Sequence, residues 1–304
     1  MTNRILDFSE SPARLRVRLA QLVVERSDCP PVITPLADVA VMVVSHPQVT
    51  CTQAVLSGLA ESGGVFVVCN AKHLPVGMLL PLVAHHAQVE RFAAQAQASK
   101  PVRKRLWQQL VRAKIRAQAQ TLLDLHGTDH GLLALLPQVR SGDPRNVEAW
   151  AARRYWGRLF GELDFRRHRE DEDHNLLLNY GYAVLRAIVA RAICAAGLHP
   201  SLGLHHHNRY SAYCLADDLM EPLRPIVDRA VVEYLATHDA VCGLEPKVKT
   251  WLVQALTERY EINGEQRTVF DIATRIASSL ADVFLGNATT LELPDGVRPC
   301  REGN

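Results

Sequence analysis

The chain has 304 residues, of which 48% are hydrophobic and 22% charged, enough for two domains and a large core. That composition, with a formal net charge of +2, is ordinary for a soluble globular protein. The seven cysteines show no CxxC pair and no regular spacing, so they read as free thiols in a reducing compartment rather than a disulfide framework. The N-terminus lacks the apolar core of a signal peptide, and a cytoplasmic location is expected.

The first eighty-odd residues read as β-rich. The stretch 15–24 begins with strict alternation of apolar and charged residues, as a half-buried strand does. Residues 39–44 and 65–69 are short apolar runs that fit core strands, and 52–60 between them has helical spacing. Prolines 30, 31, 35 and 47 punctuate the loops. Near residue 84 strong helix formers take over, and helices are expected at about 86–98, 102–125, 145–160, 174–196, 211–239, 246–260 and 270–285. One interruption is 259–269, where Asn263-Gly264 marks a type I′ hairpin. The apolar stretch from Tyr180 to Leu198 contains Arg186 and Arg191, which argues for a buried soluble helix and against a membrane span. The tail after Leu293 is expected to be loose. The fold class is therefore α+β, with a small β-sandwich-like N-terminal domain (1–84) and a larger all-helical C-terminal domain (85–304) carrying the chemistry.

Charge is unevenly spread. Residues 85–127 hold eight Lys and Arg against two acidic residues, a local excess that points to a polyanion or to a solvated helix face. The most informative stretch combines Gly203-Leu204-His205-His206-His207-Asn208 with Asp217, Asp218 and Glu221, an imidazole- and carboxylate-rich segment inside an apolar, helix-forming region. Carboxylate oxygens with an imidazole nitrogen suit Mg²⁺ or Mn²⁺, and cysteine is missing from the set, so structural zinc fits poorly. Asp218 and Glu221 are three apart and share a helix face, while Pro222 distorts the helix where they sit. By spacing alone, any of His205, His206 and His207 can be the ligand, and the acidic pair can equally be a dipole-favoured first turn. Glu148, after the turn Gly142-Asp143-Pro144, is by itself an ordinary first-turn glutamate.

Three segments in chain order carry a family resemblance. They are Glu148 in E-x-x-A-A-R-x-Y, then Asn175 to Tyr182 in N-x-x-L-N-Y-G-Y, then G-L-H-H with D-L-M-E-P-x-R-P-x-V-D from Asp218 to Asp228. Together they resemble the CRISPR-associated integrase family of spacer acquisition, over nearly the whole chain and in the form found in type II systems. The resemblance implies a divalent metal, Mg²⁺ or Mn²⁺, on Glu148, His206 and Glu221, with Asp218 and His205 close by. His206 is preferred because the family's offset places the ligand three residues after the glycine. The implied activity is insertion of short DNA fragments into a CRISPR array by transesterification, with hydrolytic cleavage from the same site. Implied partners are double-stranded DNA, a second copy of the chain, a dimer of the small second CRISPR-associated protein in a heterohexamer, and type II effector machinery. The basic segment would then hold duplex phosphates, with Arg103, Lys104, Arg105 and Arg112 the first candidates. The competing readings are a stand-alone nuclease for branched repair intermediates and a non-catalytic DNA-binding scaffold.

Overall fold

The computed structural model describes residues 3–27, 29–70, 75–161, 174–238 and 243–300. The N-terminal part is strand-rich: β1 (Arg4–Phe8), β2 (Ala13–Arg18), β3 (Gln21–Arg26), β4 (Cys29–Pro35), β5 (Val39–Val44), β6 (Val49–Cys51), α1 (Gln53–Glu61), β7 (Val65–Cys69) and β8 (Pro75–Leu79). Two four-stranded sheets form, in the orders β1-β5-β7-β8 and β4-β3-β2-β6. The first is parallel across β1, β5 and β7 and antiparallel at β8. Phe8, Leu15, Leu22, Val24, Met42 and Phe66, from strands of both sheets, share one core cluster with Val55 and Leu59 of α1. Val41, Val43, Val65 and Val67 point the other way and join the core of the helices. Burial on both faces is why β5 and β7 read as continuous apolar runs rather than as alternation.

The stretch 15–24 is not one strand. β2 and β3 form a hairpin whose turn places Leu19 and Ala20 at φ of 51° and 58°, with Arg18 paired to Gln21. Neither residue is a turn former, and Leu19 is 87% exposed, so the alternation ran unbroken through a reversal of the chain.

The remainder is mainly helical: α2 (Gln88–Gln97), α3 (Lys100–His126), α4 (Val147–Leu159), α5 (His174–Ala195), α6 (Cys214–Leu219), α7 (Arg224–Thr237), α8 (Pro246–Thr257) and α9 (Val269–Phe284). Pro101, Pro225 and Pro246 sit in first turns, where a missing N–H costs nothing, and α3 stops at Gly127 with φ 73°. α5 lies in the middle of the core and packs on α7, α8 and α9. Among the described residues it is the one helix long and apolar enough to cross a membrane, but 78% of its most apolar window is buried inside the protein, as in a core helix.

Three expectations change here. The helix foreseen over 211–239 is broken into α6, a single 3-10 turn over Glu221–Leu223 and α7, because Pro222 and Pro225 each remove an amide donor. The larger part is not all-helical: β9 (Arg259–Ile262) and β10 (Glu265–Thr268) pair across Asn263-Gly264, both at positive φ, as the hairpin reading required. A third strand, β11 (Arg298–Pro299), adds to β9, and Val297 beside it is 2% exposed. The tail after Leu293 is thus tied down over its described length.

Candidate active site

Three separate elements bring polar groups to one place. Glu148 lies in the first turn of α4. The preceding residues Asp143 and Asn146 take the left-handed backbone region, and the Asp143 carboxylate accepts the amides of Val147 at 3.0 Å and Glu148 at 2.9 Å. That cap fixes the start of the helix and so the origin of the Glu148 side chain. Glu221 comes from the 3-10 turn between α6 and α7 and is buried at 6% exposure. Both glutamates touch the same nitrogen. Lys114 Nζ, from the middle of α3, donates to Glu148 Oε1 and lies 2.6 Å from Glu221 Oε2. The two carboxylates therefore stand no further apart than two hydrogen-bond lengths. Arg224 Nε donates to the other oxygen of Glu221 at 2.9 Å, and its guanidinium lies over the Tyr182 ring, 4.7 Å from the centroid.

Charge in this cluster is balanced by neighbours rather than by water. Burial alone would raise the Glu221 carboxyl, but Arg224 and Lys114 outweigh it and bring its pKa down to about 2. Burial alone would lower the Lys114 ammonium, and the two carboxylates more than reverse this, so it sits above its ordinary value. The Glu221 carboxylate and the Lys114 ammonium are accordingly ionised at neutral pH.

The histidine turn is organised by Asp218, which is fully buried at 0% exposure. Its carboxylate accepts the backbone amides of Leu204 at 2.6 Å, His205 at 3.0 Å and His206 at 3.3 Å. It also meets His206 Nδ1 at 2.6 Å. A carboxylate only accepts, so Nδ1 carries the proton and the lone pair lies on Nε2. The hydrogen bond to Asp218 raises the His206 pKa above its ordinary value against the opposing effect of burial. His205 stacks face to face on Trp107 of α3, ring centroids 4.2 Å apart and 2° from parallel, and burial lowers its pKa. Gly203 is required by space: a Cβ there would collide with the His206 carbonyl and stand 2.9 Å from Cys214 Cβ and 3.0 Å from Asp218 Oδ2.

Glu148 and Glu221 are thus brought together through Lys114, while the Asp218 carboxylate faces the histidine turn. Among the described residues no three His, Cys, Asp or Glu side chains make a ready-formed metal cluster. Sequence reasoning gave Lys114, Arg224, Trp107 and Asp143 no role at the site. For Lys114 a signal was present: it lies four residues after Leu110 and three before Ala117, a charge inside the apolar stripe of α3. Of the basic candidates on α3, Lys104 and Arg105 are exposed. Arg103 donates to the carbonyl of Ala96 at 3.2 Å and Arg112 to that of Val139 at 2.9 Å. The charged run Arg166-Arg167-His168-Arg169-Glu170-Asp171-Glu172-Asp173, by sequence a solvated loop or a source of phosphate contacts through its arginines, lies outside the described residues.

A family model described as "CRISPR associated protein Cas1" matches residues 8–241, more than half of the chain. The chain belongs to the Cas1 family. A Cas1 relative, the CRISPR-associated endonuclease Cas1 of Neisseria meningitidis serogroup C, is 36% identical over 299 residues, covering 96% of each chain. Among solved structures, a casposase bound to its integration product superposes with a TM-score of 0.78 at 20% identity, over 96% of this chain and 92% of that one. A chain of a Cas6-RT-Cas1–Cas2 complex superposes with a TM-score of 0.76 at 18% identity, over 95% of this chain and 36% of that one. At these identities the structural likenesses establish a shared fold, strand-rich at the N-terminus and helical beyond it.

Proposed function

We propose that this protein is a metal-dependent DNA endonuclease and integrase that joins short DNA fragments to a CRISPR array. The observation that carries the proposal is the convergence of Glu148 and Glu221, from helices far apart in sequence, on one buried cation. Two carboxylates with an imidazole nitrogen are a donor set for Mg²⁺ or Mn²⁺, and a positive charge between the carboxylates already stands in for such an ion, so the residues fit it. Glu148, His206 and Glu221 would hold the ion, with Asp218 and His205 beside it. When bound, it supplies Lewis-acid polarisation of a phosphoryl oxygen and charge stabilisation at the attacking or leaving oxygen.

The chain's own residues do the positioning. Asp218 fixes the His206 ring and its tautomer, Arg224 holds one oxygen of Glu221, and the Asp143 cap holds the backbone under Glu148. In the reaction a fragment's 3′-hydroxyl attacks a phosphodiester at the repeat border, forming one P–O bond and breaking another to release a new 3′-hydroxyl. Water in its place gives cleavage. Lys104 and Arg105, with Arg103 and Arg112 next to them, would contact duplex phosphates without reading sequence. The neighbour named as a Cas6-RT-Cas1–Cas2 complex supports the small second CRISPR-associated protein as a partner. In this reading two dimers of this chain flank a dimer of that protein in a heterohexamer, with residues 1–84 making the dimer and partner contacts. Association with type II effector machinery and a cytoplasmic setting belong to the same reading.

The test is half-site joining on a supercoiled repeat plasmid, with and without the small partner, for wild type, Glu148→Gln and Glu221→Gln. Partner-dependent joining that both substitutions abolish is expected. Joining by both variants at the wild-type rate would refute the site, and full activity without the partner would favour a stand-alone nuclease.

A further inference from the structure

We propose that Lys114 is a built-in counter-cation, which holds Glu148 and Glu221 together until a divalent ion takes its place and thereby limits how tightly that ion binds. The inference rests on the metal-dependent reading above and gives a role to the lysine on which the two glutamates converge. The ammonium touches one oxygen of each glutamate, and its side chain is only 11% exposed. A divalent ion bridging the same two oxygens and an ammonium bridging them exclude each other. The ion brings twice the charge and bonds of about 2.0–2.6 Å, too short to leave an ammonium between the same atoms.

The surroundings permit the exchange. Each glutamate keeps an anchor that does not involve Lys114: Arg224 on Glu221 Oε1, and the Asp143 cap under the Glu148 amide. The site is reached from solvent at the Glu148 side chain, 26% exposed, and at that of His206, 47% exposed, which gives an ion its approach. Lys114 is a point charge on a flexible four-carbon stem, able to withdraw without moving α3. Its proton stays on the nitrogen throughout. The exchange replaces one cation by another and involves no change of protonation. A counter-cation of this kind explains how the buried Glu221 and the half-buried Glu148 can stand side by side before metal arrives, a state that two bare carboxylates would oppose.

The experiment is calorimetric titration of MnCl₂ into the full-length protein without DNA, for wild type, Lys114→Met, Lys114→Gln and Lys114→Arg, with melting curves at each metal concentration. Removing the competing charge is expected to tighten Mn²⁺ binding by about tenfold or more in Lys114→Met. Lys114→Arg, which keeps the charge, should bind no more tightly than wild type. If Lys114→Met does not fold without metal, Lys114→Gln, which can still donate a hydrogen bond, carries the comparison. Unchanged or weaker Mn²⁺ binding in the neutral variants would overturn the inference. Failure of the underlying reading looks different: wild type, Glu148→Gln and Glu221→Gln would then show the same Mn²⁺ response or none, whatever stands at position 114.

Discussion

Replacing Asp218 by asparagine changes one atom's chemistry at the hub of the histidine turn. The carboxylate accepts three backbone amides and the ring N–H of His206, and both of its oxygens are used. An amide has one acceptor atom. With oxygen kept toward Leu204 and His205, the nitrogen faces the His206 amide and Nδ1, so a donor meets a donor at the backbone. The imidazole can answer only by moving its proton to Nε2, which removes the lone pair from the side proposed to bind metal. One lost backbone hydrogen bond plus the loss of charge from the others should cost about 2–4 kcal/mol. At roughly 2 °C per kcal/mol for a chain of this size, melting should fall by about 4–8 °C. Mn²⁺ binding should weaken by about 10–100-fold, the usual penalty for disturbing a ligand's outer partner. Scanning fluorimetry and metal titration measure the two effects, and ¹⁵N shifts of selectively labelled histidine report the tautomer. A variant that melts like wild type and keeps Nδ1 protonated would refute the argument at its base.

Asp124 on α3 binds Arg229 at 2.5 Å and Arg298 of the tail strand at 3.2 Å. Burial would raise its pKa, and these partners together with Gln120 bring it below the ordinary 3.8. A depressed carboxyl stabilises the fold above its unfolded value and loses that contribution as pH falls through the lower folded one. Asp124→Asn should therefore be less stable than wild type at neutral pH but show a shallower loss below about pH 3.8, measured by denaturant unfolding at each pH. At Gly181 on α5 a Cβ would strike Val227 Cγ1 of α7. Gly181→Ala should cost about 1–3 kcal/mol, and adding Val227→Ala should recover part of it, in paired urea melts. For DNA, removing the exposed Lys104 and Arg105 together should lower the slope of log affinity against log salt by about two. Equal slopes for that double variant and wild type in fluorescence anisotropy would remove them from the interface.

Much of the fold was legible where one physical constraint acts alone. The Asn263-Gly264 turn demands positive φ at both residues, and the structure has it. The two-sided apolar runs of β5 and β7 mark strands buried on both faces. Where constraints compete, the sequence misleads. Leu19-Ala20 turns the chain with residues that dislike the required backbone region, because strand pairing on either side overrides local preference. The tail looked loose by composition, yet an unpaired edge of β9 was waiting for it. Glu148 and the histidine turn carried a recognisable pattern. For Lys114 two signals compete: its place in the apolar stripe of α3 marks it as inward-facing, but within a basic segment one more lysine reads as surface.

The break at Pro222 explains how a short acidic motif serves two purposes. In an unbroken helix Asp218 and Glu221, three residues apart, would project from one face and repel each other. Here the amide of Met220 still bonds to Ala216, while Leu223 and Arg224 both donate to the Met220 carbonyl. The chain tightens at that point and restarts as α7. Asp218 stays with α6 and is spent on the histidine turn, where the missing Cβ of Gly203 lets the backbone come close enough to be capped. Glu221 passes to the new segment and meets Lys114 and Arg224. Each carboxylate thus acquires its own set of donors, and neither has to be neutralised by the other's proton. The spacing from Gly203 to Arg224 is in this sense one device, in which a proline separates the acid that orients the imidazole from the acid that holds the cation.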